Sequence, residues 1–454
     1  MKKIVWLAFV LMLSSIAIVE IFTKSTVARS NQSNRFYSEG KFVFAGSKTI
    51  LVPDNFTSIQ EAVNNASDGY TIFVRAETYC ENVVLNKPNL TLIGENKRTT
   101  IIDGNGKTVV SLKANNTKIE GFTVQNGSFG ILMNPWTHGH IISNNIIVNN
   151  DYGISGHYDC VDISIHNNTI ISNNVAGIVM LFSHSAISSN LISDNGKDEF
   201  QKYGVGIQIV VGVNSETIYC VNNTIFSNTI KNHQTGIWAL RYSKENLFYH
   251  NNFLNNKKQF SAPATTWNNS VMKNYWSDYN GTDFYGGPYQ NDTGSDGIGD
   301  MPYVICEMNQ DSYPIMGIFS DFSVIHQKET YHITAVCNST ISAFEFDQVD
   351  KVIMFSVTGP SATTGFCRVC VPYDLMEPPY TVIIDDGQTE VLYFNDNLCD
   401  NGTHRWIYFT YRHSTHEVDI IPEFPIWTSI PLTLIVLTVA MACAKKRGGS
   451  LSSE

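Results

Sequence analysis

Seven aromatic and polar residues follow the same step of a repeated sequence pattern and could together bind a sugar. The step is Gly-Ile, which recurs at Gly130, Gly153 and Gly177. The residues that follow it in successive repeats are Trp136, His157, Tyr158, Asp159, His184, Arg241 and Tyr242. An aromatic ring stacks on the apolar face of a sugar, while imidazole, carboxylate and guanidinium groups form hydrogen bonds with its hydroxyls. We therefore predict a ligand-binding face for an extracellular carbohydrate, provided that the fold stacks these residues.

Alignment of the repeats on the Gly-Ile step predicts which of these residues share a column. The first column holds Asn134, His157 and Leu181, the second Trp136, Asp159, Ser183 and Tyr242, and the third Thr137, Cys160, His184 and Ser243, with Arg241 beside them. Neighbours in a column would lie about 4.8 Å apart, the spacing between strands. A register error of one residue would turn each side chain to the other face. The alternative interpretation is therefore a set of ordinary exposed turn residues.

The repeat that must position these residues is Asn-x-Ile, a polar stretch, Asn, a short gap and Gly-Ile. Copies begin at Asn145, Asn168, Asn190 and Asn228, and the period is 23 to 24 residues where no insertion lengthens it. Short Ile- and Val-rich runs broken by Asn and Gly are typical of strands and turns, and a fixed period of this size indicates stacked units. The pattern predicts a parallel β-solenoid over 119–260, with a β-sandwich of coincidental spacing as the alternative. Its inward row would be Ile131, Ile154, Ile178 and Ile237, and its bend asparagines would form ladders.

The residues before this repeat are predicted to open the solenoid. Thr57-Ser58-Ile59-Gln60 is a capping box that predicts one short helix over 58–66, which would cover the open edge of the first coil. Strands are predicted at 71–75, 89–93 and 100–103. The whole solenoid is predicted to span 48–318.

Several segments resemble the NosD-type right-handed parallel β-helix proteins. Ser58-Ile59-Gln60-Glu61-Ala62-Val63 and Leu92-Ile93-Gly94-Glu95-Asn96 are similar to the start of that fold, and Asn274-Tyr275-Trp276-Ser277-Asp278-Tyr279 is similar to its closing segment. The resemblance implies a right-handed parallel β-helix and, from the family name, a periplasmic role in maturing the copper site of nitrous oxide reductase. The sequence has no Cys- or Met-rich cluster at copper-ligand spacing. The copper role is therefore kept as an alternative function.

An enzyme is the other alternative. β-Helix lyases and hydrolases gather carboxylates on one face for acid, base or calcium-binding roles. The repeats offer Asp151, Asp159, Asp162, Asp194 and Asp198, which fall at different positions of the coil. Only His157, Asp159 and Asp162 are close in sequence. Non-catalytic binding is favoured over a carbohydrate-active lyase, hydrolase or epimerase.

One acidic segment could bind calcium. Asp292, Asp296 and Asp300 occupy positions 1, 5 and 9 of an EF-like loop, with Gly297 at position 6. Oxygen ligands at this spacing suit Ca²⁺, but position 3 is a glycine and position 12 is Tyr303. The sequence predicts either a weak Ca²⁺ site or a metal-free turn.

The 23- to 24-residue period of the solenoid is absent over 321–420. Seven short strand-like stretches separated by turns predict an immunoglobulin-like β-sandwich there. Disulfide pairing is predicted among four cysteines of this module, because some cysteines are oxidised in extracellular proteins. They are Cys337, Cys367, Cys370 and Cys399. Cys367-x-x-Cys370 is interpreted as structural. His413-x-x-His416 lacks a third ligand and is expected to be solvated. The fold class is therefore all-β, a right-handed parallel β-helix followed by a sandwich.

Both ends of the chain predict insertion in a membrane. Residues 1–28 have the pattern of a signal peptide, and the apolar run 426–444 is long enough for a transmembrane anchor. Basic residues flank both runs on their outer sides, which places 30–420 outside the cell. Pro422-Glu423-Phe424-Pro425 resembles archaeal sorting tails. Thirteen Asn-x-Ser/Thr sequons are typical of a glycoprotein. The net charge of −11 does not provide the general positive charge that favours nucleic-acid binding. The expected partners are an extracellular glycan or surface-layer component, and the membrane.

Overall fold

The chain folds into a parallel β-helix followed by a module of antiparallel strands, as seen in a computed structural model. The structure describes residues 48–196, 204–210, 220–240, 243–262, 268–307, 309–385 and 391–423. The predicted signal peptide, the predicted anchor, and Arg241 and Tyr242 lie outside these ranges. Within them, no helix has the length and apolar character needed to cross a membrane.

One short helix, Ile59–Asn65, lies at the start of the solenoid. Its N-cap is Ser58, whose hydroxyl accepts a hydrogen bond from the Glu61 backbone at 3.1 Å, so the capping residue is the second member of the predicted box. Ile59, Ala62 and Val63 are buried against the first coil. The carboxylate of Glu81 accepts from the backbone nitrogens of Ile59 and Gln60, both at 2.9 Å. An acceptor at this end satisfies donors that have no partner within a helix.

Three parallel sheets of ten, nine and eight strands run along the solenoid, and each complete coil supplies one strand to each of them. The strands of the first sheet are Thr49–Val52, Thr71–Val74, Thr91–Gly94, Lys118–Glu120, Ile141–Ser143, Ser164–His166, Ala186–Ser188, Thr224–Phe226, Lys244–Tyr249 and Asn268–Met272. Those of the second are Thr78–Cys80, Ile101–Asp103, Thr123–Gln125, Ile146–Val148, Thr169–Ile171, Leu191–Ser193, Thr229–Lys231, Asn252–Leu254 and Tyr275–Trp276. Those of the third are Val83–Leu85, Val110–Leu112, Phe129–Met133, Tyr152–Gly156, Ala176–Met180, Val205–Ile209, Thr235–Ala239 and Lys258–Ser261.

The inward row predicted from the Gly-Ile steps is confirmed. Ile131 pairs with Ile154, Ile154 with Ile178, and the row continues through Ile207 to Ile237, all fully buried. In the repeat that begins at Asn190, the sequence pattern predicts Gly204-Val205 for this step, but the structure places Gly206-Ile207 there. The insertion in that repeat moved the sequence alignment by two residues.

Glycine is required beside this row because neighbouring coils approach closely. A Cβ atom at Gly130, Gly153 or Gly177 would lie only 2.5 to 2.7 Å from the carbonyl oxygen of the next glycine in the column. No side chain fits at that distance without a shift of the backbone. The repeated glycine therefore sets the spacing of the coils at this point.

The predicted asparagine ladders are present and buried. In the longest, each amide oxygen accepts hydrogen bonds from the backbone nitrogen and the amide nitrogen of the preceding member, at 2.9 to 3.2 Å. Its members are Asn145, Asn168, Asn190, Asn228, Asn251 and Asn274. A second ladder joins Asn150, Asn173 and Asn195 and then substitutes His233 before Asn256. Buried polar groups with all partners supplied stabilise a unique register.

The solenoid ends at a segment that caps both its ladder and its apolar core. The buried carboxylate of Asp311 accepts hydrogen bonds from Asn274 and from the indole of Trp276 at 2.8 to 3.2 Å. The ring of Trp276 stacks between Phe253 and Tyr303 at 4.3 and 4.2 Å. Two small antiparallel pairs complete the segment: Tyr285–Gly286 with Asp292–Thr293, and Tyr303–Cys306 with Asn309–Asp311.

The C-terminal module, residues 318–422, consists of two antiparallel sheets around one core. The five-stranded sheet holds Ile318–His326, Glu329–Cys337, Thr364–Pro372, His404–Arg412 and Tyr393–Asp400, and the four-stranded sheet holds Thr340–Asp347, Val352–Thr358, Thr415–Pro422 and Tyr380–Ile384. The sequence predicted seven strands and missed the first and the last. The immunoglobulin-like topology stays a prediction. His413 and His416, expected to be solvated, are in fact buried and hydrogen-bonded.

Candidate functional site

The exposed turn after the third sheet carries four of the predicted residues in two neighbouring coils. We call the surface formed by Trp136, His157, Tyr158 and Asp159 the ledge. Trp136 is 69% exposed. Its ring meets the edge of Tyr158 at a centroid distance of 5.5 Å, and Tyr158 meets the imidazole of His157 at 4.5 Å. The ledge thus combines an accessible aromatic face with a phenol, an imidazole and a carboxylate.

Backbone geometry holds Trp136 above Asp159. The strands Phe129–Met133 and Tyr152–Gly156 pair in parallel, and Met133 lies opposite Gly156. The same offset aligns Trp136 with Asp159, and both adopt left-handed backbone, with φ of 59° and 60°. This conformation is uncommon outside glycine, asparagine and aspartate, and in Trp136 it points a large side chain away from the solenoid into solvent.

The base of the ledge is a set of partly buried hydrogen bonds. The carbonyl oxygen of Asn134 accepts from the hydroxyl of Thr137 at 2.7 Å and from the thiol of Cys160 at 3.1 Å. The amide oxygen of Asn134 accepts from Ser111 at 2.7 Å. Burial raises the pKa of the Cys160 thiol, so it stays protonated and donates. These contacts fix the turn that displays Trp136.

A buried histidine lies under the same turn. His140 is fully buried and shares a 2.7 Å hydrogen bond with Thr117. Burial, with a smaller contribution from His138, lowers the pKa of His140 to about 4. The neutral imidazole is part of the frame and does not face the ledge.

The ledge ends after two coils because the next turn is shorter. Ser155 pairs with Val179, an offset of 24 residues, but Val161 pairs with Ser183, an offset of 22. The third coil therefore lacks two residues where Tyr158 and Asp159 protrude, and Phe182, which is buried, takes the place of Cys160.

For this reason the predicted third column is correct for Thr137 and Cys160 but wrong for His184, and the second column is wrong for Ser183. His184 does not stack on Thr137 and Cys160 but follows the bridge partner of Val161, at the level of Asp162. Its backbone is left-handed, as are those of Asp162 and Asn222, and its Nε2 atom lies 3.2 Å from the amide nitrogen of Asn222. His184 thus belongs to a different corner. Arg241 and Tyr242 lie outside the described residues and stay predictions.

Two of the three carboxylates predicted to bind calcium accept hydrogen bonds from the protein. Asp296 is fully buried and accepts hydrogen bonds from Gln290, Ile298 and Arg368 at 2.8 to 3.0 Å. Asp300 accepts from the backbone nitrogens of Phe284 and Tyr285. Asp292 is exposed in the small hairpin of the closing segment. In the part of the chain that the structure describes, no three His, Cys, Asp or Glu side chains converge as a metal site would require.

Copper fits the described donors no better. Copper(I) selects thiolate and thioether ligands, but the thiols of Cys160 and Cys220 lie in the solenoid core and donate to backbone carbonyls at 3.1 and 3.0 Å. Cys337 and Cys367 lie in the core of the C-terminal module. Among the described residues, no group of three His, Cys, Asp or Glu side chains offers a copper site.

Asn134, whose hydrogen bonds hold the turn of the ledge, was not among the predicted ligand-binding residues. The signal was available, because Asn134 opens the turn directly after the strand and stands in the column of His157. Asn134 acts mainly through its backbone carbonyl oxygen. Every residue has a backbone carbonyl, so the residue type does not reveal this role. The predicted ligand-binding residues also did not include Pro135, which the 23-residue offset places opposite Tyr158.

A protein-family comparison agrees with the motifs that start and close the solenoid. The family model described as periplasmic copper-binding protein (NosD) matches residues 63–289, half of the chain. A stretch of 104 residues is 38% identical to a cell surface glycoprotein of Methanothermus fervidus. That stretch covers 22% of this chain and only 17% of the length of the relative.

Solved structures with parallel β-helices are more distant. An alginate lyase from Paenibacillus sp. str. FPU-7 is 13% identical with a TM-score of 0.34, over 51% of this chain and 77% of the lyase. A pectin methylesterase in complex with a hexasaccharide is 10% identical with a TM-score of 0.33, over 50% of this chain and 87% of the esterase. Similarity this low carries no information about activity.

Proposed function

The chain belongs to the NosD family, and from this premise we propose that it is an extracytoplasmic surface protein whose solenoid binds carbohydrate at the ledge without chemical change. The surface location is supported by the similarity to a cell surface glycoprotein and by the periplasmic description of the family. The predicted signal peptide and anchor fit the same location. The expected partner is a glycan of the cell envelope or of a surface-layer component.

The observation that carries this proposal is the exposure of Trp136 on a fixed turn. The indole of Trp136, a residue that is 69% exposed, with the perpendicular ring of Tyr158 at a centroid distance of 5.5 Å, offers a flat apolar platform. Pyranose rings present CH groups on one face, and these pack on aromatic rings. Little conformational entropy is lost on binding, since the hydrogen bonds of Asn134 already hold the turn.

Polar groups beside the platform supply orientation. The exposed carboxylate of Asp159 accepts hydrogen bonds from sugar hydroxyls, and the imidazole of His157 adds one donor or acceptor. Asp159 lies directly under Trp136 in the stack, so a sugar packed on the indole has its rim near the carboxylate. A site of one or two sugar units matches a surface two coils deep, about 10 Å.

Binding without bond cleavage follows from the same groups. Glycoside hydrolysis uses two carboxyl groups on opposite sides of the scissile bond. Asp159 is the single carboxylate on the ledge, and Asp162 belongs to the neighbouring corner with His184. The ledge therefore supports recognition better than catalysis.

A glycan array probed with the purified protein tests the proposal. We expect binding to a restricted set of glycans, with a loss of roughly tenfold or more in affinity for Trp136→Ala, because the stacking platform is removed. Tyr289→Ala is the matched control, since Tyr289 is 85% exposed but lies in the closing segment. The proposal fails if no glycan binds, or if both variants bind like the natural protein. Shortened glycans recovered after incubation would instead indicate an enzyme.

A further inference from the structure

Two cysteines face each other in the core of the C-terminal module. Cys337 ends one strand and pairs directly with Cys367 on the adjacent antiparallel strand. Their sulfur atoms lie 2.7 Å apart, and their residues are 1% and 0% exposed. Directly opposed residues on neighbouring strands have Cα atoms about 4.5 to 5.5 Å apart, within the range that a disulfide bridges.

We propose that Cys337 and Cys367 are joined by a disulfide bond in the mature protein, and that Cys370 and Cys399 stay as thiols. The bond forms by exchange with an external disulfide, such as that of a periplasmic-type thiol oxidoreductase or of a small-molecule disulfide. The two thiols of the chain lose their protons and two electrons, one S–S bond forms between them, and the external disulfide is reduced to two thiols. The inference is independent of carbohydrate binding and rests only on an oxidising location.

The neighbouring Cys-x-x-Cys spacing does not compete for this bond. Cys367 and Cys370 stand three positions apart on one strand, Thr364–Pro372. Their Cα atoms are therefore about 10 Å apart and their side chains point to opposite faces of the sheet. Cys367 enters the core of the module, whereas Cys370 lines a cavity of about 90 Å³ between the module and the end of the solenoid. A redox motif that closes on itself is excluded at this site.

Cys399 cannot reach Cys370 either. Both residues pair with Trp406, from the strands on its two sides. Two strands in a sheet that are separated by a third lie roughly 9 to 10 Å apart, beyond the Cα distance of about 7 Å that a disulfide tolerates. The earlier prediction that these four cysteines pair among themselves is thus met geometrically by one pair only.

The surroundings of the pair favour a permanent bond. The hydroxyl of Tyr411 lies 3.5 and 3.7 Å from the two sulfur atoms and is held by Ser339 at 2.7 Å. Burial raises the pKa of the Cys367 thiol well above its usual value. At Cys337 the effect of burial is outweighed by the hydrogen bonds with Cys367 and Tyr411, which lower the pKa of that thiol. Once formed, the bond lies in the closed core of the module, and a reductant reaches it as the module unfolds.

Mass spectrometry of the full-length protein tests the assignment. The protein is purified without reductant, denatured, alkylated and digested. We expect a linked peptide pair that contains Cys337 and Cys367, and alkylated Cys370 and Cys399. Alkylation of Cys337 and Cys367 before any reduction would overturn the proposal, as would a link from either one to Cys370 or Cys399.

Thermal unfolding provides a second readout. A bond that closes a loop of 30 residues is expected to raise the unfolding temperature of the module by roughly 10 °C. A phosphine reductant should lower that temperature in the natural protein and in the control Cys370→Ala/Cys399→Ala. It should change nothing in Cys337→Ala/Cys367→Ala. Equal sensitivity to reductant in the two double variants would contradict the assignment.

Discussion

Buried polar side chains form rows along the solenoid, whereas in the C-terminal module they form a local hydrogen-bond network. Asn168, for example, bonds to members of the same ladder in the coils on both sides. In the module, Tyr411, Ser339 and His413 form one local chain of hydrogen bonds at 2.7 and 2.8 Å. Each polar group of the solenoid thus supports two neighbours, while the network of the module supports only its own surroundings.

This difference shows where each region can vary. A coil must keep its Ile, Gly and Asn columns because the coils above and below depend on them. The turns between these columns do not support the neighbouring coils. The turn that displays Trp136 differs in length from that of the following coil. The solenoid is therefore a rigid frame with adjustable turns, which suits recognition of an external ligand.

The largest effect is expected from a cut in a ladder. The amide oxygen of Asn173 accepts two hydrogen bonds from Asn150, and its amide nitrogen donates to Asn195 and to the carbonyl of Ile147. Asn173→Ala leaves these buried partners unpaired and should lower the free energy of unfolding by about 3–5 kcal/mol. The adjacent, exposed Asn174 bonds only to Asp151 by its side chain, so Asn174→Ala should cost less than about 1 kcal/mol. Equal losses in chemical denaturation would show that the ladder is not a structural unit.

The junction of the two regions is the next target. Arg368 of the module donates to the carboxylate of Asp296 in the closing segment at 2.8 Å, and these side chains are 11% and 0% exposed. Arg368→Met leaves a buried charge and should cost about 3–4 kcal/mol in the free energy of unfolding. The exposed pair Arg75–Asp54 is the control, and Arg75→Met should cost less than about 1 kcal/mol. Similar costs in the two variants would mean that the regions are not coupled through Asp296.

Acid should weaken the solenoid through the histidine in its second ladder. Burial lowers the pKa of His233 to about 4, below the value near 6.5 of an unfolded histidine. The folded state therefore holds the neutral form. Its contribution is complete above about pH 6.5 and is lost as the pH falls toward 4, up to about 3 kcal/mol. His233→Asn, which restores an asparagine to the ladder, should reduce the fall in melting temperature between those pH values, and His140, whose pKa burial also lowers to about 4, retains part of it. The same change at exposed His138 should leave the pH dependence intact, and a His233→Asn profile like that of the natural protein would refute the assignment.

The smallest effect on stability is expected at the ledge. Trp136 is mostly exposed and supports no neighbouring coil, so Trp136→Ala should change the free energy of unfolding by less than about 0.5 kcal/mol. Thermal unfolding measures this directly. A loss comparable to that of Asn173→Ala would make Trp136 part of the frame rather than an adjustable turn.

The sequence predicts the frame well because the frame is periodic. Gly130, Gly153 and Gly177 repeat at nearly constant intervals, and the inward isoleucine row follows from them. Errors appear where the period breaks. The insertion before Gly206 shifted one step by two residues, and the shortened turn before Ser183 moved His184 to another corner. The length of this turn departs from the repeat, and the buried Phe182 stands at the place of Cys160.

Non-repeating contacts were the least predictable. Nothing in the spacing of Asp292, Asp296 and Asp300 reveals that Arg368, 72 residues further along, reaches Asp296. The capping of the ladder by Asp311 in place of an asparagine is also invisible in the repeat. Such contacts depend on how the chain returns after the last coil, and only the folded molecule contains that information.

Hydrogen–deuterium exchange of the purified protein, with and without the glycan selected on the array, tests the central claim most directly. We predict slower exchange on glycan binding in peptides covering 134–138 and 157–161, and unchanged exchange in the closing segment around Tyr289. Protection confined to the closing segment or to the C-terminal module would place the binding site elsewhere and contradict the account.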